Sequence, residues 1–378
     1  MTSTTEILVV SDFHPSESLG GGPAIAFDFY EELRRIGIES EFYFFREIER
    51  ESVQQTRLKQ IFKRSNCPRP HFRLFKVLKN TFTFLRDVKR VDPKVVWIHS
   101  IGNRIPIFSL YFLWLLKYKF FVTLHDFNAI SPYKIKALRT KGVVVPIIPS
   151  NLKYKLFQKL NIIALSRAIF CATLSKYQLS IFRSVGLKNI CLIPNGIPIC
   201  EHEVKDRDLK DPELKILFAG RSRNKGLMEL RQAIEMESQL PVHLYLAGNS
   251  DLQSNFRVSG LNVKISYLGL LSRNQVHEKI HEVDVVYVCS QYFDPYPTIG
   301  LEGIRHGALV ITSECTGLVD LLQGKDYSNL ITGLGELPNL KKLKELCSQR
   351  NQNIGDLSRL IPTLVEVTDS YLEKLRKN

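Results

Sequence analysis

Acidic side chains are scarce over a long middle stretch of this 378-residue chain, where residues 51–200 hold four Asp or Glu against 26 Lys or Arg. Such a segment repels other cations and calls for an anionic partner or for solvent. The seven cysteines (67, 171, 191, 200, 289, 315, 347) include no CxxC pair. That spacing argues against a disulfide framework or a thiolate zinc site and fits a reducing cytoplasm. No apolar run reaches the roughly 20 residues that span a bilayer. The longest, "IPIFSLYFLWLL" (105–116), ends at Lys117 and Lys119 and reads as a buried helix. The start "MTSTTEILVV" has neither the basic region nor the long apolar core of a signal peptide, so a cytoplasmic protein is expected. The nine histidines suggest no convergent ligand set, and no metal site is expected.

What remains is an ordinary globular composition, 44% hydrophobic and 24% charged, in a chain long enough for two domains. Short apolar runs alternate with helix-like segments: "ILVV" (7–10), "VVWIH" (95–99), "FFVTLH" (120–125), "AIFCATL" (168–174) and "NICLIP" (189–194). After an interruption come "LKILFAG" (214–220), "VHLYLAG" (242–248), "VKISYLG" (263–269), "DVVYVCS" (284–290) and "GALVITS" (307–313). Hydrophobicity that is continuous within each run predicts parallel strands covered on both faces. The interruption, "NGIPICEHEVKDRDLKDPE" (195–213), has the polar, proline-marked composition of a linker. Charge changes there too, from +16 over residues 1–200 to −2 over residues 201–378. The expected division is 1–200 and 201–360, with 361–378 a helix that packs back on the first domain.

Three local patterns suggest a phosphate-bearing ligand. Gly20, Gly21 and Gly22 follow the first strand and precede Pro23 and an apolar-periodic helix; glycines admit close backbone approach, and free amides at a helix start favour an anion. Ile25 stands where a dinucleotide fingerprint requires glycine, and no Lys-Ser/Thr follows, so neither a Rossmann oxidoreductase nor a Walker A loop is indicated. In "FAGRSRNKGLMEL", Arg221 and Lys225 lie beyond a strand end, where two cations can neutralise a diphosphate. In "FDPYPTIGLEGIRHG", Pro295 and Pro297 keep Asp294 and Tyr296 extended, Thr298 suits an N-cap, and Glu302 falls about one turn inside the helix. Amides near Thr298, Ile299 and Gly300 then form a second anion-favouring helix start between the two acids.

This last segment resembles the acid-x7-acid motif of family-four glycosyltransferases of the GT-B fold, with Asp294 where glutamate is usual. Matching pieces run in the same order along nearly the whole chain: the glycine loop, "VVWIHS", "VTLHDF", "CATLSKYQ", "LIPNGI", "LFAGRSRNKG", "LYLAG", "ISYLGLLSRNQVHEKIHEVDVVYVCS" and "ALVITSECTGLVDLL". The resemblance implies an α/β GT-B protein, two Rossmann-like doubly wound parallel-sheet domains facing across a cleft. It implies that Glu302 holds the nucleotide ribose, Asp294 the donor-sugar hydroxyls, Arg221 and Lys225 the donor diphosphate, and that Gly21 and Gly22 close on the same phosphates. His125 would lie beside the donor sugar as a catalytic group with Asp294. The Arg-to-Lys spacing is one residue shorter than the family's usual one. The implied reaction is retaining transfer of a sugar from a nucleotide-diphosphate sugar, without a cofactor or an obligatory metal.

The implied acceptor is a lipid-linked or polysaccharide intermediate of cell-surface glycan synthesis, reached at the inner face of the cell membrane. A non-catalytic GT-B-like protein docked on an anionic membrane or nucleic acid through the basic half is the alternative, with nucleic acid the weaker partner. A glycosidase would use the acid pair but leave the phosphate-favouring features without purpose.

Overall fold

The central strands are mostly Val, Ile, Leu and aromatic residues, and three of them, β1 (Ile7–Ser11), β3 (Val95–His99) and β13 (Leu309–Ser313), are buried at every residue. Strands covered on both faces pair in parallel and need helical crossovers. The structure, a computed structural model, describes residues 5–15, 21–44, 70–99, 101, 105–131, 136–140, 143–147, 152–198, 211–220, 223–248, 256–258, 262–322, 330–348 and 358–378. Gly20 and Arg221, both singled out from the sequence, lie outside the described residues.

The N-terminal half adds α1 (Gly21–Arg35), β2 (Ser40–Phe44), α2 (Pro70–Val91), α3 (Phe108–Leu115), β4 (Lys119–Leu124), the hairpin of β5 (Lys136–Thr140) and β6 (Val143–Ile147), α4 (Leu152–Leu165), β7 (Cys171–Thr173), α5 (Lys176–Ser184) and β8 (Ile190–Leu192). Its sheet has the order β2-β1-β3-β4-β7-β8, all parallel. The C-terminal half comprises β9 (Leu214–Ala219), a 3-10 turn (Arg223–Lys225), α6 (Leu227–Met236), β10 (Val242–Ala247), β11 (Val263–Gly269), α7 (Arg273–Glu282), β12 (Val285–Val288), α8 (Thr298–Arg305), β13, α9 (Val319–Leu322), β14 (Ile331–Thr332), α10 (Leu340–Ser348) and α11 (Leu364–Arg376). Its order, β11-β10-β9-β12-β13-β14, is again parallel throughout. The chain reverses direction of build between β9 and β12, and a crevice opens at such a switch point beyond the carboxyl ends of the strands.

The last helix returns to the first sheet. Tyr371 on α11 is buried against Trp97 and Phe121, and its hydroxyl accepts a hydrogen bond of 3.0 Å from Thr123 on β4. Two expectations change. The apolar stretch 105–116 forms a helix of eight residues that buries Leu110 and Leu113 but leaves Phe108, Trp114, Leu115 and Leu116 exposed, because only one face meets the core. The half-polar edge strand β2 and the short β14, invisible as apolar runs, complete the two sheets.

Candidate functional site

The cleft is assembled from backbone that the sequence makes rigid. Pro297 takes the N-cap position of α8 in extended conformation, so Thr298 is the first helical residue and not the cap. The Gly300 amide is already bonded to the Pro297 carbonyl, which leaves the Thr298 and Ile299 amides as first-turn donors. The loop carrying Asp294 is fastened at both sides: its amide donates to Cys315 and its carbonyl accepts from Gly317. A Cβ on Gly317 would stand 1.7 Å from the Pro295 carbonyl oxygen, so only glycine lets these two loops approach.

From the other half, the start of α1 reaches the same point. A Cβ on Gly21 would meet Thr298 Oγ1 at 2.5 Å, and one on Gly22 would touch the His125 ring at 3.7 Å. Gly21, Gly22, His125, Lys225, Asp294, Thr298, Ile299 and Glu302 all line one cleft of about 580 Å³, a volume within the range of small-molecule sites. These eight residues named from the sequence are therefore brought together, while Gly20 and Arg221 lie outside the described residues.

Charges in the cleft are paired with one another. The Lys225 ammonium is bonded to the Asp294 carboxylate, which also accepts from Ser290 Oγ at 3.3 Å. Burial opposes the Lys225 charge, yet Asp294 and Tyr292 outweigh it and hold its pKa above the usual value. Glu302 is almost fully buried, and its Oε1 accepts from Arg273 Nε at 3.0 Å with His277 Nε2 3.4 Å away. Arg273 Nη1 reaches both oxygens of Asp28 on α1, at 2.6 and 2.7 Å, which ties the two halves together across the cleft. Burial raises the Asp28 pKa against the opposing pull of Arg273.

Sequence reasoning missed Arg273, His277 and Asp28. A signal was there: Ser272 and Gln275 form a capping box, which fixes the start of α7 and puts residues four apart, such as Arg273 and His277, on one face. The H-x-x-x-H spacing of His277 and His281 was also passed over. The His277 ring stands 4.7 Å from His306, whose Nδ1 is 3.0 Å from His281 Nε2. Among the described residues no group of His, Cys, Asp and Glu has the arrangement of a metal site.

His125 sits at the carboxyl end of β4, with Nε2 2.9 Å from Nδ1 of the buried His99 behind it. Burial pulls the His125 pKa down to about 4 and that of His99 well below its ordinary value, so both rings are neutral near pH 7. Next to it, burial pushes the Asp126 carboxyl up to about 7, opposed by the Asn128 amide and reinforced by Asp12. Asn195, read from the sequence as part of a turn, lines the cleft with a buried Oδ1 that takes no hydrogen bond from the described residues.

Two doubly wound parallel sheets joined across such a cleft define the GT-B class of fold. Residues 213–341, within the second half, match the family described as "Glycosyl transferases group 1". Over the whole chain the fold is similar to that of HepE from Anabaena, solved with UDP-glucose: 15% identity and a TM-score of 0.65 over 99% of this chain and 100% of that one. Sucrose-phosphate synthase from Thermosynechococcus elongatus matches with 15% identity and a TM-score of 0.68, over 99% and 98% of the two chains. An α,α-trehalose-phosphate synthase (UDP-forming) from Burkholderia xenovorans, solved with glucose-6-phosphate, matches with 13% identity and a TM-score of 0.67, over 98% and 100%. No curated protein matches the chain in sequence.

Proposed function

We propose that this chain is a retaining glycosyltransferase that moves a sugar from a nucleotide-diphosphate sugar to a lipid-linked or polysaccharide acceptor. The observation that carries this reading is the convergence, in one cleft, of a cation (Lys225), the first-turn amides of Thr298 and Ile299, and the carboxylates of Asp294 and Glu302, closed from the other side by Gly21 and Gly22. The spacing suits a nucleoside diphosphate joined to a sugar, with the ribose at Glu302, the phosphates over the start of α8 and the sugar near Asp294 and His125. HepE, solved with UDP-glucose, lends its donor class to this reading.

Glu302 is prepared for a ribose. Its Oε1 is committed to Arg273, while Oε2 takes no hydrogen bond from the described residues and is free to accept from a hydroxyl. Lys225 and Asp294 are paired with each other; a donor diphosphate takes over the ammonium and releases the carboxylate to orient sugar hydroxyls. As the bond from the anomeric carbon to phosphate oxygen breaks, negative charge gathers on the diphosphate, where Lys225 and the α8 amides already point. The acceptor oxygen bonds to the same face of the anomeric carbon, and its proton passes to the departing phosphate oxygen. No side-chain base is required, and neutral His125 serves as a hydrogen-bonding wall beside the sugar. Protein cations and amides carry the leaving-group charge in this scheme, so transfer should persist in excess EDTA.

The N-terminal domain holds the acceptor and the C-terminal domain the donor. The excess of Lys and Arg in the segment 51–200 suits the anionic inner leaflet of the cell membrane, where such acceptors are presented. Donor hydrolysis or transfer should collapse in Glu302→Ala; wild-type turnover in that variant would remove the main support.

A further inference from the structure

None of the described helices is long and apolar enough to cross a membrane, yet one side of the N-terminal domain is oily. Helices α2, α3 and α4 lie side by side over a shared core that includes Phe84, Val88, Leu110, Leu113, Ile162 and Leu165. Phe82 of α2 meets Phe112 of α3 at 6.2 Å, and Tyr111 Oη on α3 donates to the Leu160 carbonyl on α4 at 2.7 Å. Buried residues thus account for one face of each helix.

The opposite faces carry large apolar side chains that the described residues leave exposed. Along α4, Leu152, Leu156, Leu160 and Ile163 are exposed at spacings of four, four and three, which is one helical stripe, and Leu152 is 84% exposed. Phe82 on α2 and Leu115 on α3 are 60% and 61% exposed, and Leu116 beyond the end of α3 is 54% exposed. Exposed apolar side chains gathered on three adjacent helices mark an interaction site. Lysines frame it: Lys155 and Lys159 are exposed on α4, Lys117 and Lys119 just beyond α3, and Lys79 on α2.

We propose that this three-helix face seats the protein on an anionic bilayer, with Leu152, Leu156, Leu160, Leu115, Leu116 and Phe82 entering the boundary between headgroups and acyl chains. Apolar residues interleaved with lysine are the signature of helices that lie in an interface. The alternative occupant, a second copy of this chain, would set two such lysine-framed faces against each other in a segment with four acids to 26 bases, whereas anionic lipid complements both the charge and the oil. The seat also connects to the cleft. On α4, Gln158 and Asn161 donate to the carbonyls of Ile130 and Ala129, at 3.0 and 2.7 Å, in the segment that follows His125. A lipid-carried acceptor would therefore reach the reacting centre along the wall that α4 braces. That last step rests on the glycosyltransferase reading; the seating itself does not.

The test is flotation of the full chain with phosphatidylcholine vesicles, with and without phosphatidylglycerol, beside the triple variant Leu152→Ser, Leu156→Ser, Leu160→Ser. The wild type should float with the anionic vesicles and lose part of that binding in high salt. The triple variant should lose about tenfold or more in partitioning while keeping the wild-type circular dichroism and nucleotide-sugar hydrolysis in detergent-free buffer. A wild type that stays unbound with anionic vesicles at low salt overturns the proposal, as does a triple variant that folds and binds equally well. A dimer in sedimentation that the triple variant dissolves, without vesicle binding, assigns the face to a second copy and also overturns it. Vesicle binding without hydrolysis of any sugar nucleotide leaves the seat in place and removes the enzymatic reading instead.

Discussion

Arg273 donates its Nε–H to Glu302 Oε1 at 3.0 Å, and through Nη1 the same guanidinium holds Asp28 of the opposite domain. The acid proposed to hold the ribose is therefore wired to the other wall of the cleft. Arg273→Met would leave the buried Glu302 carboxylate without its cation at a cost of about 1–3 kcal/mol. The expected outcome is a donor affinity weakened by about tenfold, measured by calorimetry, with a lowered denaturant midpoint. Unchanged donor affinity would show that Glu302 is held by other contacts.

Asp28→Asn tests the interdomain half of the same bridge. Losing the charge from α1 should loosen the closed cleft, seen as a larger radius of gyration in solution scattering and a raised KM for donor, with little change in kcat. Restoration by Asp28→Glu would tie the effect to the carboxylate, whereas an unchanged scattering profile would mean that the bridge does not hold the domains.

Lys225 and Asp294 make opposite predictions when removed. Lys225→Ala deletes the cation that meets the diphosphate, so binding of the free nucleoside diphosphate should fall about tenfold or more. Asp294→Asn frees the ammonium from its partner, so the nucleoside diphosphate should bind as well as or better than in wild type, while sugar transfer falls about a hundredfold. Parallel loss of nucleotide binding in both variants would contradict the exchange of partners proposed here.

Proton linkage separates two neighbours. His125 is pulled down to about 4, so it contributes no limb near pH 6.5 to kcat/KM. Asp126, pushed up to about 7, binds its proton more tightly folded than unfolded. Its contribution to stability is therefore full below about pH 4 and is lost as the pH rises toward about 7. His125 acts in the reverse sense, adding stability as the pH rises from about 4 to about 6.5, because the unfolded chain takes up the proton first. Asp126→Asn should remove the falling part, giving a melting temperature that climbs more steeply with pH over that range. A profile parallel to the wild type would show Asp126 ionised throughout.

Much of the site was legible because it is local. The Pro-x-Pro pair and the following helix place Asp294 and Glu302 within one loop-and-helix unit, and backbone sterics alone orient it. The strand runs were legible because both faces of each sheet are covered. The helix cap was misassigned because Pro297, without an amide hydrogen and with a fixed φ, ends the extended segment itself and makes Thr298 helical. Arg273 and Asp28 escaped notice because they are 245 residues apart and meet only when the two domains face each other. The bare surface of α3 was hidden for another reason: an uninterrupted apolar run looks equally apolar whether its second face meets the core or not.

The central claim is that the cleft binds a sugar nucleotide with the ribose on Glu302. Calorimetric titration of UDP-, GDP- and ADP-sugars into the wild type and Glu302→Ala tests it most directly. At least one sugar nucleotide should bind the wild type and lose about a hundredfold in affinity in the variant, a carboxylate-to-hydroxyl contact being charge-assisted. Absence of binding by every sugar nucleotide, or equal affinity in the two proteins, would contradict it.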